Sequence, residues 1–203
     1  MNQGKLFVIS GPSGSGKTTI VKKIVGIIKN LSFSVSCTTR AGRENEIDGV
    51  DYKFISVTEF QRMTAKSKFI EWSQVHGNLY GTPAKDIIEA NKAGKDIILD
   101  IDVKGASEIK KNYNNSVFIF ILPKSLEELR TRLAKRKNES NIDINTRIQT
   151  AKDEIAQIIN YDYIIINSDI DESTDILASI IKSERHKRRN MIDYVYKNFD
   201  VFG

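Results

Sequence analysis

Cysteine and tryptophan each occur once in 203 residues, histidine twice and proline three times. A single thiol, Cys37, excludes an intrachain disulfide and fits a reducing compartment. The two histidines, His76 and His186, stand alone without metal-ligand spacing, which argues against a zinc centre. No apolar run reaches the ~20 residues that a membrane helix needs; the longest, residues 117–122, is strand length. The opening residues pass directly into an apolar stretch, without the basic and apolar segments of a signal peptide, so a cytoplasmic setting is expected. Core-forming residues are not lacking. The chain is 40% hydrophobic and 28% charged, the balance of a soluble globular protein that needs no metal or disulfide staple.

Acidic residues are in the minority. Thirty-one lysines and arginines against 26 carboxylates give a net charge of +5. Such an excess suits nucleic acid, an anionic membrane or phosphorylated small molecules. Its position separates these. Residues 182–203 hold six basic and three acidic side chains, whereas the preceding 181 residues hold 25 and 23. The body is nearly neutral, so a polymer partner is not expected there. The excess lies in a C-terminal segment, read as a solvated helical face.

Strand-like and helix-like stretches alternate along most of the chain. Strands are expected at residues 5–10, 33–36, 96–101, 116–122 and 163–166. Helices are expected at 17–29, 83–93, 103–111, from the Ser125 cap to about 136, at 143–159, and from about 171 onward. This order predicts an open α/β fold around a parallel sheet. Residues 37–82 interrupt it with short strands at 52–55, 69–74 and 78–80 and a helix near 58–65 capped by Thr58. A polar stretch at 137–142 separates two helices.

Gly11, Pro12, Ser13, Gly14, Ser15, Gly16, Lys17 and Thr18 form G-x-x-x-x-G-K-[ST] between a predicted strand and a predicted helix. Glycines let successive backbone N–H groups turn inward onto phosphate oxygens, and the helix N-terminus adds its dipole. Lys17 can reach the outer phosphates, and the Thr18 hydroxyl can ligate Mg²⁺. Further on, Asp96-Ile-Ile-Leu-Asp100-Ile-Asp102 reads as a strand ending in two carboxylates on one face. Ligands of open α/β sheets sit beyond the C-terminal strand ends, so both are placed near the metal and the acceptor. Only ten of the 31 basic residues are arginine. Arg40 and Arg43 stand at the mouth of the insertion; Arg132, Arg136 and Arg147 flank the polar loop. Guanidinium groups suit bidentate phosphate recognition, so an acceptor clamp and a closing lid are expected.

Over roughly residues 5–181 the chain resembles guanylate kinases, which move the γ-phosphoryl group of ATP onto GMP. The resemblance rests on seven segments in order: Val8 to Thr18, Phe33-Ser-Val-Ser-Cys-Thr-Thr-Arg40, Gly49-Val-Asp-Tyr-Lys-Phe54, Phe69-Ile-Glu-Trp72, Gly77-Asn-Leu-Tyr-Gly-Thr82, Ile98-Leu-Asp-Ile-Asp-Val-Lys-Gly105 and Ile164-Ile-Ile-Asn-Ser-Asp169. It implies a three-layer P-loop NTPase-type core (about 1–36, 83–125 and 151–190), a GMP-binding subdomain (37–82) and a lid region (126–150). It implies that Ser36, Arg40, Arg43, Tyr52 and Tyr80 hold the GMP phosphate, and that Glu71 and Thr82 read the guanine edge with help from Asp100 and Asp102. Lys17, Arg43, Arg136 and Arg147 would stabilise the moving phosphoryl group. The loop with Thr19 and Asn167 would hold ATP, and Mg²⁺ would sit on Thr18 with Asp100 behind a water. ATP and GMP are then the partners, without nucleic acid or membrane.

Two positions depart from the family pattern. Gly42 stands where proline is usual, and Asn45 where glycine precedes a glutamate. Gly42 loosens the link between Arg40 and Arg43, so altered GMP affinity is expected. Phe69 and Trp72 are read as subdomain core, and Cys37 as a buried small residue. Two other readings are a peptide-binding module that has lost catalysis, which Lys17, Arg40, Arg43 and Glu71 oppose, and a kinase for another phosphorylated acceptor, which Glu71 opposes.

Overall fold

The computed structural model describes residues 4–75, 77–135 and 141–199. In chain order its elements are β1 (Leu6–Ser10), α1 (Lys17–Ile27), β2 (Leu31–Phe33), β3 (Cys37–Thr38), β4 (Lys53–Phe54), α2 (Val57–Ala65), β5 (Phe69–Val75), β6 (Asn78–Pro83), α3 (Ala84–Lys92), β7 (Asp96–Asp100), α4 (Val103–Asn112), β8 (Ser116–Pro123), α5 (Leu126–Ala134), α6 (Asn141–Ile155), a 3-10 turn (Ile158–Asn160), β9 (Tyr163–Asn167), α7 (Ile170–Arg185) and α8 (Arg188–Asn198).

Five strands form one parallel sheet in the order β2-β7-β1-β8-β9. β1 is buried on both faces because helices cover both. Its odd residues Phe7 and Ile9 pack with Ile20 and Ile24 of α1 and Leu177 and Ile181 of α7. Its even residues Leu6 and Val8 pack with Ile87 of α3 and Ile109 of α4. Strand periodicity of two divides them between these layers. The register pairs Ile9 with Asp100 and Ser10 with Phe120, so β1 and β7 end at one level while β8 runs on to Pro123. A second, mixed sheet runs β4-β3-β6-β5 across residues 37–83. A third apolar cluster, Leu129, Leu133, Ile144, Ile148 and Ala151, joins α5 to α6. Among the described residues no helix is long and apolar enough to cross a membrane.

Several boundaries differ from the sequence reading. β2 covers 31–33 rather than 33–36, and Ser34 continues the ladder only through its N–H to the Ile98 carbonyl at 3.1 Å. The cap of α2 is Ser56, whose hydroxyl accepts the Glu59 N–H at 3.1 Å, so Thr58 lies inside the helix. α6 stops at Ile155, and the chain tightens into the 3-10 turn before Asp162 N–H meets the Phe118 carbonyl at 2.9 Å. Asp102 is not on a strand: β7 ends at Asp100, and Asp102 caps α4, accepting the N–H groups of Lys104 and Gly105 at 2.7 and 2.9 Å.

The C-terminal segment is also not one solvated helix. α7 ends at Arg185 and α8 begins at Arg188. Their cations face buried acids at the N-terminal edge of the sheet. Arg185 Nε binds Asp96 at 2.7 Å, and Asp96 also accepts the Lys5 N–H at 2.7 Å. Glu184, 1% exposed, meets Lys5 Nζ at 3.1 Å, the Tyr163 hydroxyl at 2.6 Å and Lys187 Nζ at 2.5 Å. Burial alone would push the Glu184 carboxyl up; the bonds from Lys187, Tyr163 and Lys5 outweigh it and hold it at about 2.

A depressed carboxylate stabilises the fold above its unfolded value and loses that effect as pH falls through its folded value. Glu184→Gln should therefore cost about 3 kcal/mol in urea unfolding at pH 7, because it leaves Lys5 buried without its charge partner. The difference between variant and parent should shrink between about pH 4.5 and about pH 2, the interval bounded by the unfolded and folded carboxyl.

Candidate active site

The turn after β1 owes its shape to residues that approach without side chains. Gly16 caps α1 at φ 92°, and a Cβ there would collide with Asn167 Nδ2. That amide holds the loop from behind. Asn167, fully buried, donates to the Ser15 carbonyl at 2.6 Å and accepts the Ser173 hydroxyl at 3.1 Å. Arg132 braces the same point, giving Nη1 to the Ser15 carbonyl at 3.3 Å and Nη2 to the Asn167 carbonyl at 3.0 Å. Its carboxylate partner is Glu128 at 2.6 Å. The Asn167 side chain thus supports the loop.

In front of the loop lies a cavity of about 290 Å³. Gly11, Ser13, Gly14, Gly16, Lys17, Thr18 and Thr19 line one side. Ser36, Arg40, Arg43, Tyr52, Glu71 and Tyr80 line the facing side, and Asp100, Asp102 and Arg147 complete the wall. Pro12, Ser15, Thr82 and Asn167 stand behind this lining. Arg136 lies outside the described residues, as does His76.

Lys17 Nζ donates to the Gly11 and Pro12 carbonyls at 2.5 and 3.2 Å, folded back along its own loop. Thr18 donates its hydroxyl to Asp100 Oδ2 at 2.7 Å. Arg147, from α6, donates Nη2 to the Ser13 hydroxyl at 2.5 Å, seating that helix on the loop. Asp102 Oδ2 accepts the Ser73 hydroxyl of β5, tying the α4 cap to the mixed sheet.

Glu71 sits deepest. It is 6% exposed and accepts the Thr82 hydroxyl at 2.5 Å. A Cβ on Gly105 would collide with its Oε2, so only glycine in the first turn of α4 leaves room for this carboxylate. Burial, chiefly, pushes Glu71 up to about 7; the Thr82 bond opposes this and nearby Asp102 adds to it. Burial likewise lifts Cys37 to about 11, so it stays a thiol, as the sequence suggested. Tyr52 and Tyr80 meet edge to face at 6.0 Å. Phe69 stacks on Phe60 at 4.6 Å within the subdomain, but Trp72 is not core as the sequence suggested: it is 48% exposed and meets Phe60 only edge-on.

The sequence reading did not include Ser73, Val75, Ile101, Thr150 and Glu154, which also line the cavity. Glu154 carried a readable signal. It follows Arg147 by seven residues, two helical turns along the same face. Burial lifts its carboxyl to about 7, opposed by Lys17. Ser73 and Val75 alternate with Glu71 along β5 and share its face, but nothing in their chemistry distinguishes them in the sequence.

Comparison with known proteins agrees with this geometry. The family model described as Guanylate kinase matches residues 3–184. A guanylate kinase from Thermotoga maritima is 45% identical over 185 residues, covering 91% of this chain and 89% of that protein. One from Geobacter metallireducens is 45% identical over 199 residues, 98% of each chain. The crystal structure of guanylate kinase from Anaplasma phagocytophilum superposes with a TM-score of 0.82 at 32% identity, covering 100% of this chain and 98% of that one. With a phosphate loop, a facing arginine pair and a buried carboxylate around one cavity, and with these relatives, the chain belongs to the guanylate kinase family.

Proposed function

We propose that this protein transfers the γ-phosphoryl group of ATP to GMP, and to dGMP, yielding ADP and the nucleoside diphosphate in a reversible reaction. The observation that carries the reading is the pairing of buried Glu71 with Thr82 across the cavity from the phosphate loop. Guanine presents adjacent N1–H and N2–H donors that an ionised carboxylate accepts; adenine has no such pair on that edge. The mixed sheet 37–82 then serves as the GMP-binding subdomain, and residues 126–150 as the lid. ATP and GMP are its partners, in a cytoplasmic setting, without nucleic acid or membrane.

The chemistry is direct in-line transfer, in which the protein positions two anions and neutralises their charge. Ser36, Arg40, Arg43, Tyr52 and Tyr80 hold the acceptor phosphate, with Asp100 and Asp102 beside the nucleoside. Lys17 leaves its own loop carbonyls for the outer ATP phosphates, and Arg147 and Arg136 approach from the lid. Residues 11–19 cradle the donor. Thr18 and Asp100 offer two hard oxygens in contact at the mouth of the loop, a donor set that suits Mg²⁺, with Asp100 acting through water. When bound there, the ion would neutralise charge on the phosphate oxygens. Asp102 is engaged by Ser73 and the α4 backbone, so Asp100 is the carboxylate assigned to the metal.

An ADP-release assay across GMP, dGMP, AMP, UMP and dTMP should give turnover with the two guanine nucleotides alone. Lys17→Met should lower kcat at least about a thousandfold by removing transition-state charge, while its melting temperature stays close to the parent's. No turnover with GMP would defeat the reading.

Glu71 must be ionised to accept the guanine donors, and in the empty site its carboxyl lies at about 7. KM for GMP should therefore fall as pH rises from 6 to 8. Glu71→Gln should lose about 100-fold in kcat/KM for GMP and show a flatter pH response. Comparing the two variants over the same range cancels ionisation of the GMP phosphate itself.

A further inference from the structure

The arginine pair assigned to the acceptor phosphate is already engaged by a residue to which no role has been given. Glu46 accepts both terminal nitrogens of Arg40, at 2.9 Å each. It also accepts the Arg43 backbone N–H at 2.8 Å and lies 3.7 Å from Arg43 Nη1. Arg40 donates further to the Ala41 carbonyl at 2.6 Å and, through Nε, to the Tyr80 hydroxyl oxygen at 3.3 Å. Its guanidinium lies over the rings of Tyr52 and Phe54 at 5.4 and 5.8 Å. Glu46 is only 15% exposed. Burial pushes its carboxyl up, but the bonds from Arg40 and Arg43 outweigh this and hold it below the usual carboxylate range.

A guanidinium carries five N–H groups. Among the described residues four of those on Arg40 have acceptors, leaving one on Nη2. The Arg43 guanidinium is 59% exposed, and among the described residues its nearest carboxylate is the distant contact to Glu46. Tyr80 accepts from Arg40 through its hydroxyl oxygen, and a phenol that accepts keeps an O–H that can donate. Between the arginines stands Gly42, which imposes no backbone constraint of the kind proline would.

We infer that Glu46 is a positioning residue that fixes Arg40 as a rigid post and leaves the more exposed Arg43, held by a single longer ion pair, as the mobile hand for the acceptor phosphate. The contrary arrangement, in which Glu46 merely occupies the phosphate position until GMP displaces it, would require breaking the paired bonds to Arg40 and the backbone bond at Arg43 together. With one open N–H on Arg40, the largely exposed Arg43 guanidinium, and the Tyr80 and Ser36 hydroxyls on the same cavity wall, a phosphate can bind while Glu46 stays in place. The inference rests on the GMP reading above.

Titration calorimetry of parent, Glu46→Gln and Glu46→Asp with GMP and with guanosine tests it, alongside steady-state kinetics. Guanosine presents the same base without the phosphate. Glu46→Gln should bind GMP about tenfold or more weakly while its guanosine affinity matches the parent's. The loss should appear in KM for GMP rather than in kcat or in KM for ATP, and Glu46→Asp should recover part of it by keeping the charge. Equal losses for GMP and guanosine would mean a structural role and overturn the inference. Unchanged or tighter GMP binding would overturn it in favour of displacement. A parent protein that neither binds nor phosphorylates GMP would take down the functional reading and this inference with it.

Discussion

A phosphate site made of backbone N–H groups works only if the loop keeps its shape while empty, because those dipoles must already point inward when the anion arrives. Here that constraint falls on the carbonyl of Ser15. Asn167, at the end of β9, and Arg132, on α5, both donate to it. Arg132 also binds the Asn167 carbonyl, so loop, sheet edge and α5 meet at one point. The parallel register brings Asp100 to the level of this loop, and Thr18 contacts it directly. Tight packing of Gly16 against the Asn167 amide makes the arrangement steric as well as polar. The phosphate-loop side of the cavity is thus a consequence of where β9 ends.

The mixed-sheet side follows a different rule. Its charged groups are engaged by partners rather than left as a surplus of cations. Arg40 is matched by Glu46, Asp102 is held by Ser73 and the α4 cap, and Lys22 of α1 binds Asp51 of the mixed sheet. Glu71 lies against the first turn of α4, a place only glycine at 105 permits. A near-neutral wall of this kind can hold a dianion through directed donors, without the diffuse positive field that attracts polymers.

Much of this was legible in the sequence because it depends on local spacing. The phosphate loop and the alternation of strands and helices follow from a short motif and periodicity, whereas the gathering of Arg40, Arg43, Tyr52, Glu71 and Tyr80 on one cavity was legible only through the resemblance to guanylate kinases. What escaped reading depends on contacts distant in the chain. Asp102 looked like a strand residue because apolar alternation continues through Ile101, yet the helix cap ends the strand at Asp100. Ser56 displaced Thr58 as a cap because both are good caps and only the turn geometry chooses between them. The loop-bracing roles of Asn167 and Arg132 needed knowledge of which carbonyl lay opposite. The basic C-terminal segment looked solvated because its acidic partner Asp96 lies 89 residues from Arg185.

The ion pair between Lys5 and Glu184 has a bearing on biosynthesis. The two residues are separated by 179 positions, and both are buried at the edge of the sheet remote from the cavity. β1, the central strand, is synthesised before the strands that flank it, but Lys5 beside it has no charge partner until α7 follows. A fully closed core is thereby tied to the arrival of α7. Nascent chains cut short of that helix would leave Lys5 without its charge partner and one face of the sheet without the apolar cover of Leu177 and Ile181.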